Sequence, residues 1–427
     1  MNLYTEWGFK ESPFKTTSLE PNGTGKALLI GRESEITSIS RRIFNPPKMV
    51  TVEGLNGVGK TSLVNVAAFM SYEDHINTGR GSLYIPCNKV FQITNDVDID
   101  DFIDDVLMAV AQTLLERADE LKLRDYPFNT DSINRWLNSP QLESYSGGVW
   151  IFSAGKNTET NTSRGYEKSG FRKEILLWLE SLFPTIEDGG VICMIDNLEL
   201  LQSSENARHK LETLRDVLFN IRGLRWVLCG ALGIVLGVAS SPRLEGYLHT
   251  PVVVNSLENQ FASEVLITRI NAFAEGRDYY LPFNASEFEF LFNLLKGNLR
   301  SVLSYIDDYC NWVADNTEPE TEEEKRTFFN GWLNSRAEEA YEAFRKQIRP
   351  RALEVFNTAI QIGGLFAPSD YELFRFRSIP AMRPHIRDLE EVGVLVSTQD
   401  DGDKRRKTIQ ITPKGLLIHY YLHLQNA

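Results

Sequence analysis

Eight consecutive residues carry the strongest chemical signal in the chain: Gly54-Leu55-Asn56-Gly57-Val58-Gly59-Lys60-Thr61. They match G-x-x-x-x-G-K-[ST] in full. Glycines at this spacing let the backbone curl until successive N–H groups point inward, a cradle for phosphate oxygens. A helix beginning near Lys60 adds unpaired N–H groups and the positive end of its dipole. The Lys60 ammonium then reaches β- and γ-phosphates, and the Thr61 hydroxyl takes Mg²⁺. Ser62 follows at the loop-to-helix junction. The metal needs an acid as well. Val191-Ile192-Cys193-Met194-Ile195-Asp196 puts Asp196 at the end of a hydrophobic strand, where it holds Mg²⁺ directly or through water. The next residue is Asn197, where a hydrolytic enzyme often has Glu to polarise the attacking water. An amide accepts no proton at pH 7, so either hydrolysis is slow or another acid serves, Glu199 being the nearest candidate.

A phosphate cradle needs a strand before it and a helix after it. Met49 to Val52 is a short β-branched run, and Thr61 to Met70 reads as the helix. Further strand candidates are Ser82 to Cys87, Val191 to Ile195, Trp226 to Cys229 and Val252 to Val254. Helical patterns lie between them. Phe102, Val106, Val110 and Leu114 repeat at helical spacing within Asp101 to Leu121, and Ser203 to Phe219 reads as another helix. Strands alternating with helices predict an α/β fold with a parallel sheet buried on both faces. The chain divides into a lead-in at 1–48, a nucleotide-binding core at 49–256 and a helical segment at 257–316. An acidic linker and helix follow at 317–348, then a final module at 349–427. Residues 124–170, rich in Asn, Ser, Thr and Gly, read as an insertion with a hairpin at Gly148 to Ser153. Six acids between Asp315 and Lys325 mark the linker as a solvated stretch or an exposed helix start.

Composition removes several classes. The 427 residues are 42% hydrophobic and 24% charged, ordinary globular values that exclude collagen, coiled coil and wholesale disorder. The longest apolar run, Trp226 to Ala239, is shorter than the roughly 20 residues a bilayer span needs. Met1 to Glu6 show no basic region leading into an apolar stretch, so no secretory signal is expected. Cys87, Cys193, Cys229 and Cys310 form no C-x-x-C pair and read as reduced structural thiols of a cytoplasmic protein. His419 and His423 stand four apart with no third metal ligand nearby. The net charge of −13 argues against a broad nucleic-acid-coating surface. It is uneven, however: residues 349–427 carry +2 and the first 348 carry −15.

The last module has its own pattern. Arg351 to Ile360 reads as a helix, Ser369-Asp370 can cap a second, and Pro380 or Pro384 opens a third that runs to Glu391. Val394 to Thr398 and Thr408 to Thr412 read as strands around the polar turn Asp400 to Lys407. Three helices and a hairpin resemble a winged helix-turn-helix domain. That resemblance implies a reading helix carrying Arg383 and Arg387, and a wing whose Lys404, Arg405, Arg406 and Lys407 contact phosphates of double-stranded DNA. Winged helices also serve as protein-docking modules, so both roles stay open.

Taken together, the motifs resemble an AAA+ or STAND-type P-loop ATPase of the origin-recognition and transposition-regulator branch. The resemblance spans roughly residues 5–315. Phe9, Pro13, Phe14 and Leu29-Ile30-Gly31-Arg32-Glu33 are similar to that branch's lead-in, which lies against adenine and places Arg32 beside the nucleotide. Leu224 to Gly230 is similar to the fourth strand, whose polar sensor is replaced here by Cys229-Gly230-Ala231. Ser240-Ser241-Pro242-Arg243-Leu244 resembles the segment that carries an arginine finger, which makes Arg243 a candidate acting across a homo-oligomer. Gly297-Asn298-Leu299-Arg300 resembles the turn whose Arg reports on the γ-phosphate from the lid. The resemblance implies ATP and Mg²⁺, with ATP favoured over GTP, and a switch that couples nucleotide state to DNA or partner binding; from the short apolar runs no membrane partner is expected. Two other readings stay open: a nucleotide-gated scaffold that hydrolyses little and recruits an effector protein, and a transcription regulator.

Overall fold

The structure, a computed structural model, describes residues 2–127, 164–201, 204–232, 235, 241–400 and 406–426. Most of the 124–170 insertion, Ser240, Lys404 and Arg405 lie outside them.

Five strands make the central sheet: β1 (Val50–Gly54), β2 (Leu83–Gln92), β3 (Gly189–Asp196), β4 (Leu224–Gly230) and β5 (Val252–Val254). Their order is β2-β3-β4-β1-β5, and every pairing is parallel. Each residue of β1, β3 and β4 is buried, as expected of strands covered on both faces. One face packs α1 (Glu33–Ile43) and α2 (Lys60–Thr78) over Val50, Val52, Met194 and Val227. The other packs α3 (Ile99–Glu116) and α4 (Arg164–Leu182) over Ile85, Phe91, Cys193 and Trp226. Because the strands are parallel, Gly54, Asp196 and Val254 finish at the same edge of the sheet. That edge is where open α/β sheets receive ligands. β2 runs to Gln92, beyond the expected Cys87, because an irregularity between Pro86 and Val90 lets the pairing with β3 resume.

After β5 the chain is helical: α5 (Ala262–Phe273), α6 (Ala285–Leu294) and α7 (Leu299–Ala314) form the lid. The acid-rich stretch opens α8 (Glu322–Arg345) through a capping box between Thr321 and Glu324. Phe329, Trp332, Leu333, Ala337 and Phe344 along α8 are buried. They join one continuous core with the lid and the C-terminal module. The lead-in enters this core too. Tyr4, Trp7, Phe9 and Phe14 pack with the lid, not the sheet, and Trp7 Nε1 donates to Glu318 at 2.7 Å.

The C-terminal module comprises α9 (Pro350–Gln361), β6 (Leu365–Phe366), α10 (Ile379–Glu391), β7 (Leu395–Asp400), β8 (Arg406–Ile411) and α11 (Pro413–Asn426). The three strands form an antiparallel sheet in the order β6-β8-β7. The expected second helix at Ser369-Asp370 is instead a 3₁₀ turn, Pro368–Asp370, followed by turns. The cap closes early, since Asp370 accepts the Ala367 N–H at 2.7 Å. The Phe374 and Arg375 carbonyls bond the Arg351 guanidinium, and Arg375 sits at φ 58. α11 lies on α8, where Tyr420 donates to Asn334 at 2.9 Å and Tyr421 to Glu338 at 3.0 Å.

Candidate functional site

Where β1 ends, the chain turns through Leu55 to Gly59 and enters α2. Gly54 must be glycine, since a Cβ there would lie 2.5 Å from the Val254 carbonyl. Gly57 (φ 83) and Gly59 (φ 94) hold left-handed backbone that other residues adopt only with strain. Arg32 braces the turn from behind. Its guanidinium donates to the Val58 carbonyl at 3.0 Å, the Asn255 carbonyl at 2.8 Å and Glu35 at 2.9 Å. Burial pushes the Glu35 carboxyl up, but its bonds from Ser34 and Arg32 hold it below the ordinary value. Lys60 is buried, and its Nζ donates to the Gly54 and Leu55 carbonyls at 3.0 and 3.2 Å. The Thr61 hydroxyl donates to Asp196 Oδ2 at 2.5 Å, and Asp196 Oδ1 accepts the Asn197 N–H at 2.9 Å. A hydroxyl and a carboxylate, hard oxygen donors 135 residues apart in sequence, thus meet at the start of α2.

Around this pair opens a cleft with about 890 Å³ of empty space, part of it continuous with solvent. Asn56 to Ser62, Asp196 and Asn197 line it from the sheet, and Leu299, Arg300 and Leu303 from the lid. Lys15 to Leu19 and Leu28 to Ile30 line it from the lead-in, with Arg32 beside them. The lead-in is held there because Ser62 Oγ accepts the Leu19 N–H at 3.0 Å and Asn65 donates to the Leu19 carbonyl at 2.9 Å. Asn298 ties the lid to the loop. Its Oδ1 caps α7 by accepting the Ser301 N–H at 3.2 Å, while its Nδ2 donates to the Asn56 carbonyl at 2.8 Å.

Other candidates sit elsewhere. Glu199 accepts the Ala231 N–H at 3.0 Å, tying the turn after β3 to the end of β4; it is not among the described residues lining the cleft. Arg243 is 54% exposed and pairs with Asp216 at 2.8 Å and Glu212 at 3.5 Å, away from the cleft lining. Cys229 is fully buried with its sulfur 3.5 Å from that of Met194. Burial, reinforced by the Asp196 charge, pushes its thiol well up, so it carries no charge to report on a ligand. Arg383 and Arg387 are exposed on α10, where Arg387 pairs with Glu391 at 3.0 Å. The backbone pairs Arg406 with Asp400 and Lys407 with Gln399, at the start of the return strand. Sequence reasoning missed Arg269, a buried lid residue that lines the cleft. On an amphipathic helix its residue type reads as surface.

Two contacts continue from the loop into the C-terminal module. Lys296, two residues before Asn298, donates from Nζ to the Gly363 carbonyl at 2.6 Å. The neighbouring Gly364 carbonyl accepts the Ile411 N–H at the end of β8, at 2.9 Å.

Among the described residues no cluster of three His, Cys, Asp or Glu could hold a metal unaided. None of their helices is long and apolar enough to cross a membrane. No family model matches the chain, and no curated protein matches it in sequence. Solved structures of similar chain path include the ORC2 protein of Aeropyrum pernix in its ADPNP–ADP complexes. It is 12% identical, with 98% of each chain covered and a TM-score of 0.49. The ORC1 protein of the same organism, in complex with DNA, is 14% identical over 94% of this chain and 96% of that one, with a TM-score of 0.43. A Walker-type ATPase of Pyrococcus abyssi is 15% identical over 95% and 99%, with a TM-score of 0.47. At these scores none of the three bears on the residues of the cleft.

Proposed function

We propose that the chain is an ATP·Mg²⁺-binding switch that couples nucleotide state to the C-terminal module. The observation that carries this reading is the Thr61–Asp196 bond beside the Lys60 ammonium at the mouth of a loop built for phosphate. A hydroxyl and one carboxylate suit Mg²⁺, which keeps waters and shares its sphere with phosphate oxygens, so three protein ligands are not required. Lys60 would exchange the Gly54 and Leu55 carbonyls for phosphate oxygens. Thr61 and Asp196 would hold the metal, which supplies charge neutralisation when bound. Arg300 would meet the γ-phosphate from the lid. ATP, not GTP, is the nucleotide implied by the lead-in resemblance.

A ligand moves an equilibrium only through contacts that differ between states. Here the contact to change is Asn298 on the Asn56 carbonyl, with Lys296 carrying the shift to Gly363 and the β-sheet of the module. That module would meet duplex DNA through Arg383, Arg387 and the cations at 404–407, or would dock a partner protein through the same residues.

One observation favours a second reading, a nucleotide-gated scaffold with little turnover. Asn197 accepts no proton, and Glu199 is committed to the Ala231 N–H. Multiple-turnover phosphate release separates the two. Turnover stimulated by duplex DNA and abolished in Lys60→Ala is the result expected of the switch. Tight nucleotide binding with no turnover, with or without DNA, is the result expected of the scaffold.

A further inference from the structure

Two buried arginines line the cleft, and they are treated differently. Arg32 has a carboxylate and two carbonyls for its guanidinium. Arg269, 4% exposed, donates from Nη1 to the Pro13 carbonyl at 2.9 Å. Its Nε–H is buried with no acceptor among the described residues. Burial alone pulls the guanidinium down to about 10, and no acid nearby opposes the shift. A buried donor without an acceptor, on a cation without an anion, costs free energy that packing alone does not explain.

Position says what the cation faces. Arg269 follows Val265 by four residues on α5, so the two share a face. Both line the cleft, with Leu29, Ile30 and Leu303 as apolar neighbours in its wall. The phosphate end has its own cations in Lys60 and Arg300, while Arg269 is bonded to the lead-in two residues before Lys15, where that segment enters the wall. Apolar side chains beside a buried donor, with the polar Lys15 to Ser18 next to them, suit a nucleoside, which offers flat rings and neutral acceptors.

We propose that Arg269 reads the nucleoside end of the bound nucleotide, its guanidinium donating to a neutral acceptor on the purine ring or the ribose. This rests on the cleft being a nucleotide site. Arg269 is then a specificity-determining residue, since a nucleotide lacking that acceptor leaves the buried donor unpaired.

The test is calorimetry with Mg²⁺ on the full chain, comparing the parent with Arg269→Met and Arg269→Lys. The probes are ATP, analogues lacking the ring N7 or N3, 2′-deoxy-ATP and inorganic tripolyphosphate. The parent is expected to bind ATP about tenfold or more tightly than one analogue. Which one it is separates ring from sugar. Arg269→Met should lose roughly ten- to a hundredfold for ATP, bind that analogue and ATP alike, and keep tripolyphosphate affinity within about twofold. Arg269→Lys should fall between. Retained tripolyphosphate binding shows that the loop is still folded. Equal losses for ATP and tripolyphosphate, no loss at all, or a parent indifferent to every analogue would make Arg269 a strut for Pro13 and overturn the proposal. A parent that binds tripolyphosphate no worse than ATP would overturn it too while sparing the phosphate cradle. A parent that binds neither would bring down the nucleotide reading and this inference with it.

Discussion

Asn298 shows how much one side chain can do. Its carbonyl oxygen caps α7 and its amide nitrogen holds the loop after β1, so substitutions can separate the two roles. Asn298→Asp keeps an acceptor for the cap but replaces the donor facing the Asn56 carbonyl with a carboxylate oxygen. Thermal stability should stay within about 1 kcal/mol, the scale of a cap. ATP affinity should change by roughly five- to tenfold, the worth of one hydrogen bond to the loop. Calorimetry and thermal unfolding on the same variant check this; unchanged affinity would detach the lid from the loop. At this scale the sequence was informative where spacing alone defines chemistry. Gly57, Gly59, Lys60, Thr61 and Asp196, from two motifs far apart in the chain, line one cleft. Glu199 and Arg243 show the limit. A residue's distance along the chain from a site does not say which way its side chain turns, and here backbone and carboxylate partners hold both.

α8 is the element whose role the sequence showed least. Its first turn is acidic, yet Phe329, Trp332, Leu333, Ala337 and Phe344 are buried in a core shared by lid and C-terminal module. An apolar stripe on a helix announces that something covers it, not what. The strands were easier to read, because continuous β-branched and apolar runs bounded by Gly or Asp fit a doubly covered sheet. The helix expected from Ser369 stops at a short turn because the Phe374 and Arg375 carbonyls bond Arg351, a long-range partner invisible to local pattern. Phe329→Ala should cost about 3–5 kcal/mol, the usual range for truncating a buried phenylalanine. If the core is shared, hydrogen exchange should rise together in 262–314 and 350–397. A rise confined to α8 would show that lid and module are independent.

Across the whole molecule, charge and connectivity limit what the C-terminal module can do. The chain is acidic overall, and residues 349–427 carry a balance of only +2. DNA contact, if it is the module's task, would draw on a small set of cations, Arg383, Arg387 and residues 404–407. Each phosphate contact lowers log affinity by about 0.9 per tenfold rise in salt. Neutralising Lys404, Arg405, Arg406 and Lys407 together should therefore flatten the salt slope of duplex binding by up to about 3.6. A slope that does not move, or a parent that binds no duplex, would assign the module to protein docking. The path from Asn56 through Asn298, Lys296 and Gly363 to Ile411 gives the cleft a physical connection to the sheet of that module.

The most direct measurement is a calorimetric titration of ATP with Mg²⁺ into the full chain and into its Lys60→Ala variant. Saturable binding to one site per chain, weakened at least roughly tenfold by the variant through loss of charge-assisted bonds to phosphate, is the predicted result. No heat from the parent, or equal affinity in both proteins, would contradict it.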